Sequence, residues 1–292
     1  MPELPEVEVT RRELLPKLVG RTIAHVHTTK PSYFFLTPPA KLARALSGRE
    51  VCALVRVGKY LLAELDDGSR LLLHLGMTGQ LFFSGDASLR LLSALRGVTL
   101  APEQQEAGFR PDSHTHLVLG FEDAGPLLYF RDVRKFGKVE LLPRGQSSAR
   151  LDKLGIDALA ARGQDLAEAA RKRTVPIKSL LLDQGVLAGV GNIYADEALF
   201  LARVSPLRRA SRLSRAECDR LVAAVQRVMQ RSIETGGSSI SDYVRPDGAR
   251  GGYQDERQVY SRTGEPCRVC GGTIRRRVLG GRSTHYCPTC QR

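Results

Sequence analysis

The sequence predicts an α+β protein: a β-rich front half entered through one helix, a helical back half, and a metal-binding hairpin at the end. Three observations carry this. Apolar alternation and turn signals recur between positions 51 and 131, a 3.6-residue apolar stripe runs from Leu221 to Met229, and four cysteines crowd the last 26 residues. Alternation marks half-buried strands, and the stripe marks an amphipathic helix.

In chain order, Pro5 suits a first helical turn. Val7, Leu14, Leu15 and Leu18 share a face, and Gly20 can end the helix, so residues 5–19 read as helical. Pro16 argues against a regular last turn. Val51–Val57 alternates as a strand, and Tyr60–Leu65 and Arg70–Leu75 flank the turn signal Asp66-Asp67-Gly68-Ser69. Leu117–Phe121 and Leu127–Arg131 flank a second turn, so a β-sandwich is expected over 1–142. Residues 84–113 interrupt it with a long irregular segment around the apolar stretch Leu89–Leu95. Pro143, Gly145, Ser147 and Ser148 suggest a linker over 143–150, and helices are expected over 151–256. Ser214 with Glu217 forms a capping box ahead of the apolar stripe. The Ser/Gly/Arg-rich stretch Ser238–Tyr253 reads as mobile and leads into a metal-binding module at 257–292.

The 292 residues include 44 Lys and Arg against 31 Asp and Glu, a formal charge of +13, and 42% are apolar. That length suits two domains with a real core. No run approaches the ~18 apolar residues of a membrane span. The acidic start, Met1 to Glu8, lacks the basic and apolar regions of a secretory signal, so a cytoplasmic location is expected. The surplus charge points to an anionic partner.

Cys267-x2-Cys270, sixteen residues, then Cys287-x2-Cys290 lets two tight turns grip one metal ion. Four thiolates suit one tetrahedral, structural Zn(II), with iron–sulfur and disulfide readings as the alternatives. In so short a module the metal supplies most of the stability, on the order of 10–16 kcal/mol. Cys267 to Arg292 holds six arginines and no acid, which favours a phosphate-facing hairpin.

Pro2 follows Met1, and Met before Pro is normally removed, leaving a secondary amine. An α-amine has a pKa of about 8 and is partly unprotonated at neutral pH, so it can attack an aldehyde-like sugar carbon. Glu3 and Glu6 lie within one turn and could move protons. Taken alone, these residues read better as an ordinary helix start with acids complementing its dipole.

The full set of motifs changes that weighting. Met1-Pro-Glu-Leu-Pro-Glu-Val-Glu8, Gly58-Lys-Tyr-Leu-Leu62, His74-Leu-Gly-Met-Thr-Gly79 and Asp132-Val-Arg-Lys-Phe-Gly137 occur in order. Asp183-Gln184, Ala188-Gly-Val-Gly-Asn-Ile-Tyr194 and Gly281-Arg-Ser-Thr-His-Tyr-Cys-Pro288 follow. Together they closely resemble the bacterial formamidopyrimidine-DNA glycosylase family, from Pro2 to Gln291. Leu4 and Val7 match this branch rather than the endonuclease VIII branch, which has Gly and Ile there.

The resemblance implies excision of 8-oxoguanine and ring-opened purines from double-stranded DNA by a monomer, followed by β- and δ-elimination at the abasic site. It implies Pro2 as nucleophile at C1′, Glu3 as general acid/base, and Glu6 as a supporting acid. Lys59 would assist the β step and Arg282, on the zinc hairpin, the δ step. Met77, Arg134 and Phe136 match the wedge that fills the space of an extruded nucleotide. Without the resemblance, Met77 and Phe136 read as core and Lys59 as a surface charge. Lys178 and Asn192 match phosphate ligands of a helix–two-turn–helix element, and His74, His114 and Arg173 align with further DNA contacts. Val133 stands where the family often has Pro, Lys135 where Arg is common, and segment 84–113 is longer than expected. One structural zinc and no redox cofactor are implied, and DNA binding would associate the protein with the bacterial nucleoid. The rival readings are an endonuclease VIII-like enzyme for oxidised pyrimidines and a non-catalytic zinc DNA-binding protein.

Overall fold

The computed structural model describes residues 1–86, 109–239 and 243–292. The chain divides into two compact units: Met1–Ser148 with Gly236–Gly252, and Ala149–Thr235 with Tyr253–Arg292.

The first unit opens with helix α1 (Leu4–Leu18), followed by β1 (Ile23–Thr28) and α2 (Pro39–Leu46). Then come β2 (Val51–Val57), β3 (Tyr60–Leu65), β4 (Arg70–His74) and β5 (Gly79–Phe83), with β6 (Thr115–Phe121), β7 (Leu128–Asp132) and β8 (Lys138–Leu142) after the segment left undescribed. Two four-stranded sheets result, ordered β1-β6-β7-β5 and β2-β3-β4-β8, and every pairing in them is antiparallel. Leu81, Leu117 and Phe130 from one sheet meet Leu61, Leu73 and Val139 from the other in a single core. This is the expected sandwich, and α1 closes it by adding Val7, Leu14 and Leu18 to the same core.

The hairpin signals act as read. Asp67 Oδ1 accepts the Ser69 N–H at 2.9 Å in the β3–β4 turn. Pro16 does not stop α1: the helix runs to Leu18, and the Val19 N–H still donates to the Leu15 carbonyl at 3.1 Å. Pro16 and Arg12, whose carbonyl loses its donor, both lie on the solvent side where water can substitute. The apolar stretch Leu89–Leu95 lies outside the described residues. After it, Phe109 packs edge-on against Phe82, with ring centroids 5.0 Å apart.

The second unit holds β9 (Ile156–Asp157) paired in parallel with β10 (Leu187–Ala188), and helices α3 (Gly163–Ala170), α4 (Ile177–Leu181) and α5 (Asn192–Leu201). The long helix α6 (Arg215–Glu234), the short α7 (Tyr253–Glu256) and a two-stranded hairpin, β11 (Arg275–Leu279) and β12 (Arg282–Tyr286), complete it. The capping box is present, with the Ser214 N–H donating to Glu217 Oε2 at 2.8 Å, and Leu221, Val222, Val225, Val228 and Met229 are buried as the stripe predicts.

Segment 236–252 departs from expectation. It groups with the first unit, and Ser238, Ser239 and Tyr243 are buried. The cause is α1. Glu13 accepts Arg245 Nε at 2.6 Å and the Asp247 N–H at 3.3 Å, while Glu6 accepts the Ser238 N–H at 2.9 Å. Residues 240–242 lie outside the described residues.

One ion cluster fixes α1 against β2. Glu8 bonds Arg11 at 2.8 Å, Arg12 at 2.8 Å and Arg56 at 3.2 Å. Burial works against the Glu8 carboxylate, but the hydrogen bonds from Arg11 and Arg12 and the charge of Arg56 outweigh it and hold its pKa down at about 2. A folded-state pKa below the unfolded value stabilises above the unfolded pKa, and the gain is lost as pH falls through the folded one. The stability gap between the wild type and Glu8→Gln, at most about 3 kcal/mol near neutrality, should therefore close between pH 5 and pH 2 in urea titrations. A gap independent of pH would contradict this.

Candidate active site

The first turn of α1 carries the acids that the motif singles out. Pro2 is buried, Glu3 is 3% exposed and Glu6 is 2% exposed. Glu3 caps the helix, its N–H donating to Glu6 Oε2 at 2.8 Å, and the other Glu6 oxygen takes the Ser238 N–H. Backbone N–H groups thus hold Glu6 at the positive end of the helix, which compensates its removal from water. Tyr243 is buried beside it, and burial together with the Glu6 charge raises its phenol pKa well above the ordinary value.

Lys59 sits with Gly58 in the two-residue turn between β2 and β3 and is buried. Arg56 ties this turn to α1, donating to the Gly58 carbonyl at 3.0 Å and pairing with Glu8. The structure therefore braces the Lys59 turn against the helix that begins at Glu3. His74, ending β4, stacks on Tyr60 at 4.7 Å, and its Nδ1 accepts the Gly76 N–H at 3.2 Å. In the neutral ring the proton then resides on Nε2.

The expected wedge residues lie on two loops held side by side. Gly76 has φ +62°, and a Cβ there would fall 2.4 Å from the Gly137 nitrogen. The loop of Met77 therefore touches the loop of Arg134 and Phe136 at backbone distance. Asp132 anchors both. Its carboxylate accepts the Thr78 hydroxyl, the Arg134 N–H at 3.2 Å and the Gly137 N–H at 2.7 Å. Arg134 then lies over the Phe136 ring at 4.8 Å, and Phe136 is 43% exposed. An exposed aromatic backed by a cation suits a base surface better than a core. Met77 is half-buried, and His114 borders the same loop, its carbonyl accepting the Asp132 N–H at 2.9 Å.

In the second unit, Asn192 is the first residue of α5, after Gly189-Val190-Gly191, at the positive end of the helix dipole. Arg282 opens β12 at the hairpin tip and is exposed, as is Arg173, which approaches Asp183 at 3.9 Å. Lys178 is different. It is fully buried, 2.7 Å from Asp196 Oδ1 and 2.7 Å from the Ser283 carbonyl, which removes it from the surface expected of a phosphate ligand.

Sequence reasoning quoted Asp132 inside a motif without seeing its role, and it missed Asp196 and Glu197 altogether. Glu197 accepts the N–H groups of Gln258, Val259 and Tyr260 at 2.8–2.9 Å, anchoring the approach to the zinc module. Burial raises its pKa against those bonds. The available signal was two adjacent acids inside the otherwise apolar helix 192–201.

The sulfurs of Cys267, Cys270, Cys287 and Cys290 lie within 4.8 Å of one another, with Cys267–Cys290 at 3.9 Å and Cys270–Cys287 at 3.4 Å. A tetrahedron with Zn–S bonds near 2.3 Å has edges of about 3.8 Å, so the donor set fits zinc. Burial and the neighbouring thiols push Cys290 up to about 12, a crowding that a dication relieves.

Comparison with known proteins agrees across the chain. The family model described as formamidopyrimidine-DNA glycosylase N-terminal domain matches residues 1–139. A formamidopyrimidine-DNA glycosylase of Heliobacterium modesticaldum is 43% identical over 300 residues, covering 100% of both chains. The chain belongs to the formamidopyrimidine-DNA glycosylase family. The family's H2TH domain matches residues 154–244, and a zinc finger found in FPG and IleRS matches 264–292. Two solved structures of the Lactococcus lactis enzyme are each 36% identical to this chain. One is a complex with a Fapy-dG containing DNA, with TM-score 0.83 over 99% of this chain and 100% of that one. The other is a complex with an abasic site containing DNA, with TM-score 0.83 over 99% of both. Residues 154–244 are thus the family's H2TH domain, and the four cysteines are the site of one structural zinc ion. Among the described residues no helix is long and apolar enough to cross a membrane.

Two outcomes follow from this geometry. Gly76→Ala should force the two wedge loops apart, lowering thermal stability and weakening binding to damaged duplex about tenfold; unchanged affinity would contradict the close packing. Elemental analysis should find one zinc per chain, lost in Cys287→Ala together with DNA binding, and full zinc in that variant would contradict the site.

Proposed function

We propose that this chain excises oxidised and ring-opened purines from double-stranded DNA and cuts the resulting abasic site, with Pro2 as nucleophile once Met1 is removed. The observation that carries the reading is the full-length match to formamidopyrimidine-DNA glycosylases, in a chain whose first turn buries Glu3 and Glu6 beside Pro2. With Met1 attached, the Pro2 nitrogen is an amide and cannot react. Freed, it is a secondary amine with a pKa near 8, nucleophilic in part at neutral pH.

The amine attacks C1′ of the damaged nucleotide and the base leaves with a proton. Glu3 moves the protons that open the sugar ring, giving an iminium between Pro2 and C1′. The iminium acidifies C2′. Loss of that proton drives out the 3′ phosphate, the β step that Lys59 assists. Loss of the C4′ proton then drives out the 5′ phosphate, the δ step that Arg282 assists. Each step releases one proton and one phosphate end, with no change of oxidation state supplied from outside.

Extruding the base leaves a void and an orphaned partner. Met77 is the apolar plug, Arg134 the donor to the unpaired base, and Phe136 the stacked ring. Asn192 binds phosphate at its helix N-terminus, with His74, His114 and Arg173 as further contacts. The surplus charge of +13 fits this partner, and we expect the protein to work on the bacterial chromosome in the cytoplasm.

Protein lacking Met1 should give a borohydride-stable adduct with an 8-oxoguanine:C duplex and should cut it faster than a duplex carrying an oxidised pyrimidine. Glu3→Gln should slow base release by at least about 100-fold while leaving the chain able to bind the duplex. Faster cutting of the pyrimidine lesion would favour the endonuclease VIII-like reading, and binding with neither adduct nor cleavage would overturn the enzyme reading.

A further inference from the structure

The second unit buries a charge cluster directly behind the residues that follow Arg282. Lys178 on α4 and Asp196 on α5 are both 0% exposed and meet at 2.7 Å. The Lys178 ammonium also donates to the Ser283 carbonyl at 2.7 Å and to Thr284 Oγ1 at 3.0 Å. Asp196 Oδ2 accepts the His285 backbone N–H at 2.8 Å and faces His285 Nδ1 at 3.1 Å. Thr284 Oγ1 in turn donates to the Arg282 carbonyl at 3.3 Å. Both charges thus aim at three consecutive residues of β12.

Stability alone does not call for such a pair. Desolvating two ions costs several kcal/mol each, and apolar residues of similar volume usually stabilise an interior as well or better. Directional bonds to the backbone of residues 283 and 285 do what apolar packing cannot: they fix the register and tilt of the strand. The hairpin needs that. It has only two strands, and such a pair is marginal without support. Zinc grips it at Cys287, but Arg282 lies five residues earlier, about 16 Å along an extended strand. On the outer side, Arg276 reaches Ser283 Oγ at 2.8 Å from an exposed strand, which leaves the inner side as the anchor.

We propose that Asp196 and Lys178 are positioning residues for Arg282, holding β12 so that its guanidinium serves the second elimination, and that they thereby set the ratio of δ to β product. The proposal rests on reading Arg282 as the residue of the δ step. It assigns Lys178 to the inside of the protein rather than to a phosphate.

The test uses zinc-loaded full-length protein and a duplex with one abasic site, with the two products separated by electrophoresis: a strand ending in an unsaturated sugar aldehyde (β only) or in a 3′ phosphate (β and δ). Asp196→Asn should lower the δ-to-β ratio about tenfold while zinc stays at one per chain. The paired variant Lys178→Met with Asp196→Leu removes both charges without stranding either, and should show the same low ratio if Asp196→Asn alone folds poorly. Adding Asp196→Asn to Arg282→Ala should lower the ratio no further than Arg282→Ala does. A wild-type ratio in the paired variant, or additive losses with Arg282→Ala, would overturn the positioning role. A wild-type ratio in Arg282→Ala would instead remove the reading on which the proposal rests.

Discussion

Two carboxylates buried in the first turn of α1 are the constraint on which the N-terminal unit is organised. A carboxylate out of water is costly unless hydrogen bonds replace the lost solvent. For Glu6 the replacements come from backbone N–H groups: Glu3 supplies one, and Ser238 supplies another from a segment 232 positions away. Glu13, two turns further along the same helix, takes Arg245 and the Asp247 N–H. The helix start and segment 236–252 are therefore not independent, since the segment supplies donors that the helix acids require. Glu8 does the same on the other side by binding Arg56, which reaches the Gly58–Lys59 turn. One helix thus orders Pro2, the Lys59 turn and segment 236–252.

A second device repeats at two other places. Asp132 gathers Thr78, Arg134 and Gly137, and Asp196 gathers Lys178 and His285. In each case a buried acid uses directional bonds to fix backbone that leads to an exposed cation. Arg134 stands two residues after Asp132, and Arg282 three residues before His285. Strong bonds are spent inside so that a charged side chain at the surface has a fixed origin. The cations themselves stay free of strong internal ion pairs among the described residues, Arg134 stacking on Phe136 and Arg282 exposed at the hairpin tip.

What was legible in the sequence was whatever local chemistry dictates. Asp66-Asp67-Gly68-Ser69 fixed a turn, Ser214 with Glu217 capped α6, and the cysteine spacing announced its metal, because each involves partners a few residues apart. Strand β5 escaped because all five of its residues are buried and no alternation remains to be read. Asp196 and the buried role of Lys178 escaped because their partners on β12 lie 89 and 105 positions away. The same distance hid the contacts of Ser238–Tyr253: its Ser, Gly and Arg content reads as mobile, and its hydrogen-bond partners are on a helix near the opposite end of the chain. Pro2 was chemically conspicuous but ambiguous alone, and the motif set, not the residue, raised it above an ordinary helix start.

If the proposed reaction holds, the amine of Pro2, and no lysine, forms the covalent bond to C1′. The most direct measurement is peptide mapping by mass spectrometry of the borohydride-reduced adduct with an 8-oxoguanine duplex, after nuclease and protease digestion. The sugar remnant is expected on the peptide that begins at Pro2, with Met1 absent. A remnant on Lys59 or any other lysine, with an unmodified Pro2 peptide, would contradict it.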